Sequence, residues 1–171
     1  MQYFRQDQSR SIVFEDFPEN EFTDLRYGVE YNFWKLYAKA EQLHRDGSLS
    51  SFDALRVEGR YTEPLGRGSN IVLSALYQDI DRDDASRTRT TTFSGQWRQM
   101  IDQNLRLSLI LQYQMTDDDL GFDSDSFEQQ FDITWRKGQT AFYAQIRTSI
   151  NNTDIDDTTF QRFIVGLRRE F

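Results

Sequence analysis

The sequence has no cysteine among its 171 residues. That excludes a disulfide scaffold, a cysteine-based zinc site and a cysteine nucleophile. It has no apolar run approaching the ~18–20 residues of a membrane helix. Its opening segment, MQYFRQDQSR, lacks the apolar core of a secretory leader, so an exported form would be expected to be the mature one. Apolar residues make up only 37% of the chain, against roughly 45–50% in an ordinary soluble domain. Basic residues are outnumbered: the net charge is −8 and the isoelectric point is about 4.7. General nucleic-acid binding, which needs a basic face to replace phosphate counterions, is therefore not expected. The nine glycines are scattered and form no phosphate-cradling loop. What is plentiful is aromatic rings, 15% of the chain, too many for a disordered acidic tail. The length suits one domain spanning 1–171.

Alternation sets the fold class. From Asn104 to Thr116, Leu105, Leu107, Leu109, Leu111, Tyr113 and Met115 share one parity, and Arg106, Ser108, Gln112, Gln114 and Thr116 share the other. A strand sends successive side chains to opposite faces, so this is a strand with one apolar and one wet face. The same pattern recurs around Leu25–Phe33, Leu55–Tyr61, Ile71–Gln78, Phe93–Arg98, Phe127–Arg136, Phe142–Arg147 and Phe163–Phe171. Weaker versions lie at Ser9–Phe14 and Trp34–Leu43. About ten strands are expected, with eight as the alternative. Connections are expected to alternate, short at Phe33–Lys35, Glu63–Ser69, Gln99–Gln103 and Lys137–Gln139, long at Glu15–Thr23, His44–Ser51, Asp79–Thr88, Thr116–Ser126 and Asn151–Thr159. With Asp24 at the edge of the first, eighteen of the 28 acidic residues fall in or beside the long set.

Rings sort by end. Trp34, Tyr61, Trp97, Trp135, Phe142 and Phe171 sit near the short turns, and Tyr77, Tyr113, Phe127 and Phe160 near the long loops. Two aromatic belts flanking an apolar band are what two membrane interfaces select. Phe163, Val165, Leu167 and Phe171 share a parity in the last strand. With the alternation, this resembles the bacterial outer-membrane β-barrels, over roughly Leu25 to Phe171; Arg169 departs from the apolar pattern of their terminal strand. The resemblance implies an antiparallel up-and-down transmembrane barrel in the bacterial outer membrane. It also implies a lipid bilayer and lipopolysaccharide as surroundings, and the barrel-assembly machinery as a partner in biogenesis. LRLSLILQYQMTDDD and FEQQFDITWRKGQTAFYAQIRTSINN also look like hairpins of the larger barrels that sheath multihaem cytochromes, which would add a cytochrome or other protein partner.

The opposite parity would line such a barrel: Arg26, Glu30, Lys39, Arg56, Glu58, Arg60, Arg106, Glu128, Asp132 and Arg147. With both signs interleaved in a narrow lumen, two outcomes follow, a paired network that closes a structural barrel or a thin wet channel. The run TDDDLGFDSDS places Asp117, Asp118, Asp119, Asp123 and Asp125 close together. Such hard oxygen ligands suit weakly held calcium, although the spacing is not that of an EF-hand. No other cofactor is expected. Catalysis would have to use His44, near Asp46 and Ser48, as in a hydrolase acting at the barrel rim, yet no base–nucleophile–orienter spacing is present. The expected function is therefore a non-enzymatic channel, porin or structural barrel. The rival from another class is a soluble up-and-down barrel that turns the same apolar faces inward to bind a ligand.

Overall fold

The computed structural model describes residues 2–14, 17–47, 51–83 and 86–169, with side chains from residue 23 onward. Ten strands make up one sheet: β1 Gln2–Phe14, β2 Phe17–Phe33, β3 Leu36–Gly47, β4 Phe52–Gly66, β5 Ser69–Arg82, β6 Arg87–Met100, β7 Leu105–Asp118, β8 Ser124–Lys137, β9 Thr140–Thr153 and β10 Asp157–Arg169. Each pairs antiparallel with its neighbour in sequence, in the order β1 through β10. The two doubtful segments are thus strands, β1 and β3.

The strands run 12 to 17 residues, beyond the ~9–11 that a tilted strand needs to cross a bilayer. The surplus lies at the loop end and corrects the expected long loops. Glu15–Thr23 is mostly strand, with Thr23 opposite Ser9 and Asn20 opposite Ile12. Ten of the eighteen acids expected in loops belong to strands, among them Asp46, Asp79, Asp81, Asp117 and Asp125. Ladder hydrogen bonds carry these polar stretches onward, and opposite charges face each other across strands, as in Asp81 opposite Arg87 and Asp117 opposite Arg89.

The short turns are tight. Phe33 faces Leu36 across a two-residue turn, and Lys137 faces Thr140 across another. Their first central residues, Trp34 and Gly138, have φ of 52° and 59°. That is the backbone which matches hairpin twist.

No register joins β1 to β10 among the described residues, so these two strands are the edges of the sheet. Exposure agrees: Phe163 on β10 is 67% exposed, whereas Leu111 on the interior strand β7 is 38%. The molecule has almost no core. Among the described residues only Ala54 and Ala141 are buried and apolar. The accessible surface is 12405 Å², against about 8,800 Å² for a compact monomer of this mass.

Candidate functional site: a two-faced wall

The register settles which side chains share a face. One row across the sheet reads Tyr31, Ala38, Gly59, Ala75, Phe93, Tyr113, Phe127 and Ile150, each directly opposite the next. The row on the other face reads Tyr37, Arg60, Ser74, Ser94, Gln112, Glu128 and Ser149. The register shift recorded between β2 and β10, at Pro64/Gly66, lies beside the β4–β5 turn and leaves the rows of the wall unmixed, so the sheet has one apolar and one polar face. On β7 the apolar side runs from Leu105 to Met115. Ten residue steps at ~3.3 Å cover about 33 Å, or about 25 Å of height at the usual tilt of ~40°, the thickness of an outer-membrane apolar band.

Burial is inverted relative to a soluble protein. The apolar side chains are the exposed ones, with Leu73 at 51% and Phe93 at 49%. Acidic groups on the polar face are the hidden ones, Glu41 at 8% and Asp24 at 9%. A soluble barrel would bury the first set and hydrate the second.

The ten residues expected to line a lumen, Arg26, Glu30, Lys39, Arg56, Glu58, Arg60, Arg106, Glu128, Asp132 and Arg147, all fall on the polar face. Several are linked. Lys39 Nζ lies 2.7 Å from Glu41, and Arg56 bridges Glu41 at 3.9 Å and Glu58 at 3.4 Å. Arg147 donates to Glu128 at 2.8 Å. Asp132 accepts from the amides of Gln130 and Gln145 at 2.9 and 2.7 Å. Arg60 lies 5.0 Å from the ring centre of Tyr37. Farther toward the loop end, Arg45 grips Asp24 with two bonds of 2.7 and 2.8 Å.

Other charges share that face. Glu41, Arg98, Arg136 and Arg168 have the parity the sequence predicts for it, and Arg45, Arg82, Arg162, Asp24 and Asp118, which the alternation did not single out, join them. The strand portions of the polar face, from β2 to β10, then carry twelve basic and seven acidic side chains. The apolar face carries its charges at the ends, chiefly acids near the loops. Arg87 holds Asp79 there through paired bonds, one of 2.8 Å, and Arg89 reaches Asp117 at 3.3 Å.

No family model matches the sequence, and no curated protein matches it. Solved structures do. A loop L8 deletion mutant of OmpT, an outer membrane protein of Vibrio cholerae, superposes with a TM-score of 0.61 at 14% identity, over 98% of this chain. An anion-selective porin from Comamonas acidovorans superposes with a TM-score of 0.58 at 14% identity, over 88% of this chain. The fold is that of a bacterial outer-membrane β-barrel. The chain spans 60% of the length of the Vibrio protein and 49% of that of the Comamonas one.

In this barrel fold the aromatic residues largely keep the expected face. Tyr61, Trp97, Trp135, Phe142, Tyr77, Tyr113 and Phe127 are on the apolar side. Trp135 stacks on Phe142 with ring centres 5.3 Å apart. Trp34 projects from the β2–β3 turn, with Lys35 Nζ 4.2 Å from its ring centre. Phe160 departs from expectation: it is opposite Ser149, on the polar face, because its parity is that of Ile164 and Gly166. Phe171 lies outside the described residues.

The acidic run proposed for weakly held calcium is divided between the two faces and the β7–β8 loop. Alternation sends Asp117 and Asp125 to the apolar face and Asp118 to the polar one. Asp123 and Asp118 spend oxygens on backbone amides of the β7–β8 loop, and Asp119 joins no cluster with them. No group of three or more acidic or histidine side chains among the described residues could hold a metal ion. His44 sits at the loop end of the apolar face, 2.8 Å from Asp53. Ser48, the nucleophile a hydrolase would need beside it, lies outside the described residues.

Proposed function

We propose that the protein is a non-enzymatic, water-filled channel of the bacterial outer membrane, passing small hydrophilic solutes through a polar wall. The observation that carries this is the two-faced wall, with large apolar side chains exposed on one face and arginines such as Arg98, Arg106 and Arg136 exposed on the other. Rows of exposed leucine and phenylalanine need an apolar cover, and in this fold lipid supplies it. Exposed arginines on the opposite face are stable only against water, because unpaired charge is costly to desolvate. Both observations support a wall with lipid on its outer face and water on its inner one.

Planar-bilayer recording tests the proposal. Discrete conductance steps are expected; a silent bilayer with insertion confirmed by protease protection would favour a closed structural barrel. His44→Ala is expected to leave conductance unchanged and to abolish no hydrolytic activity. Loss of a lipid- or peptide-cleaving activity on that change would sink the non-enzymatic assignment.

A further inference from the structure

We infer that the channel prefers small anions, against the sign of the chain as a whole. The inference rests on the channel proposal and names its solute class. The chain total of −8 would suggest a cation pathway. A solute inside the barrel meets only one face, however, and the register sorts charge by face. From β2 to β10 the polar face holds five more basic than acidic residues, while Asp46, Asp53, Asp79, Asp81, Asp117 and Asp125 stand on the opposite side of the wall.

The excess is not cancelled by pairing. Arg98, Arg106, Arg136 and Arg168 gather toward the short-turn end of β6, β7, β8 and β10, all exposed. Arg98 aligns through Ser108 with Asp132, but Asp132 already accepts two amide bonds. None of the four has an acidic partner among the described residues. Farther along, Arg162 lies directly opposite Arg147. Like charges facing across a strand pair repel, and Glu128, held by Arg147 at 2.8 Å, answers only one of the two. A carboxylate, phosphate or halide arriving there relieves that repulsion. Guanidinium groups suit such guests, since their planar donors match oxyanions and they are weakly hydrated. Charge of one sign along a low-dielectric wall concentrates its counterion.

The test is the reversal potential of the full chain in a neutral phosphatidylcholine bilayer under a tenfold potassium chloride gradient. Chloride should permeate at least about threefold better than potassium near 0.1 M salt. The ratio should shrink toward unity near 1 M, where the Debye length is ~3 Å. Arg106→Glu combined with Arg136→Glu should move the potential toward potassium. Arg89→Gln, on the apolar face, should leave it in place. A native channel that is unselective or favours potassium overturns the inference while sparing the channel proposal, and so does an equal shift from Arg89→Gln. Absence of conductance with confirmed insertion overturns both.

Discussion

A single glycine shows how thin the margins of this wall are. Gly166 on β10 faces Tyr143 on β9. A Cβ added there would lie 2.2 Å from the tyrosine ring, so the ring rests directly on the glycine backbone. Gly166→Ala would force the ring to swing outward, and because Tyr143 is 42% exposed the cost should fall below the ~1–3 kcal/mol of overpacking in a closed core. On gels loaded after heating to a series of temperatures, the folded band should give way to the unfolded one at a lower temperature. Adding Tyr143→Ala should return part of the loss; if the double variant is no better than the single one, the contact is not the cause. Trp34 shows a different balance. Its φ of 52° is a region that costs a bulky residue roughly 1–2 kcal/mol, and glycine would fit more easily. An indole held there against local preference is consistent with an interfacial anchor. In a Trp97→Phe, Trp135→Phe background, Trp34 fluorescence should be quenched by lipids brominated near the headgroup. Stronger quenching by bromines at mid-bilayer would contradict that placement.

At the scale of the element, the strand centres were legible and the strand ends were not. β7 was expected over Asn104–Thr116 and runs Leu105–Asp118. Its leucines mark one parity so strongly that no helical period fits. β6 was expected only around Phe93–Arg98, yet it begins at Arg87. Its first half, Arg-Thr-Arg-Thr-Thr-Thr, has no apolar member to reveal a period. What holds it is the ladder and its pairing to β5 and β7, including Arg89 with Asp117, and such partners are invisible along one segment. The polar face was legible for the same reason as the strands: parity assigned all ten lumen candidates to one side. Phe160 was read by its distance from a loop instead of its parity, and the structure puts it on the other face. The protruding ends also carry a prediction. Replacing Asp79 with Asn removes the carboxylate that Arg87 grips, and because the arginine is exposed the unfolding midpoint should barely move. A larger drop in unfolding midpoint would mean that the extensions beyond the bilayer contribute more to the wall than exposed pairs ordinarily do.

At the scale of the whole molecule, the two edges matter most. Hydrocarbon offers no partner for a free N–H or C=O, so an inserted sheet keeps no open edge. β1 and β10 each carry an outer row of backbone groups with no ladder among the described residues, which in an inserted barrel must be met by each other or by a further strand. In bilayers, the β10 amides that point away from β9 should therefore exchange with deuterium as slowly as those of β7. Rapid exchange confined to β10 would show that the sheet stays open in lipid. The protein should also need detergent to remain monodisperse, because the exposed rows around Leu73 and Phe93 have no other cover. A monodisperse, detergent-free preparation would return the soluble barrel to consideration.

The near-absence of a core has one more consequence, for how such a chain changes over evolutionary time. In a packed interior each side chain constrains many others, and lineages keep recognisable letters at those positions. Here a residue touches mainly the neighbours beside it on its own face, so most substitutions act locally and independently. A leucine can become a valine and a serine a threonine, strand after strand, with nothing else obliged to answer. Selection then preserves a two-letter rhythm of greasy and wet far longer than it preserves spelling. Backbones can still overlay at a TM-score of 0.61 when only 14% of positions agree.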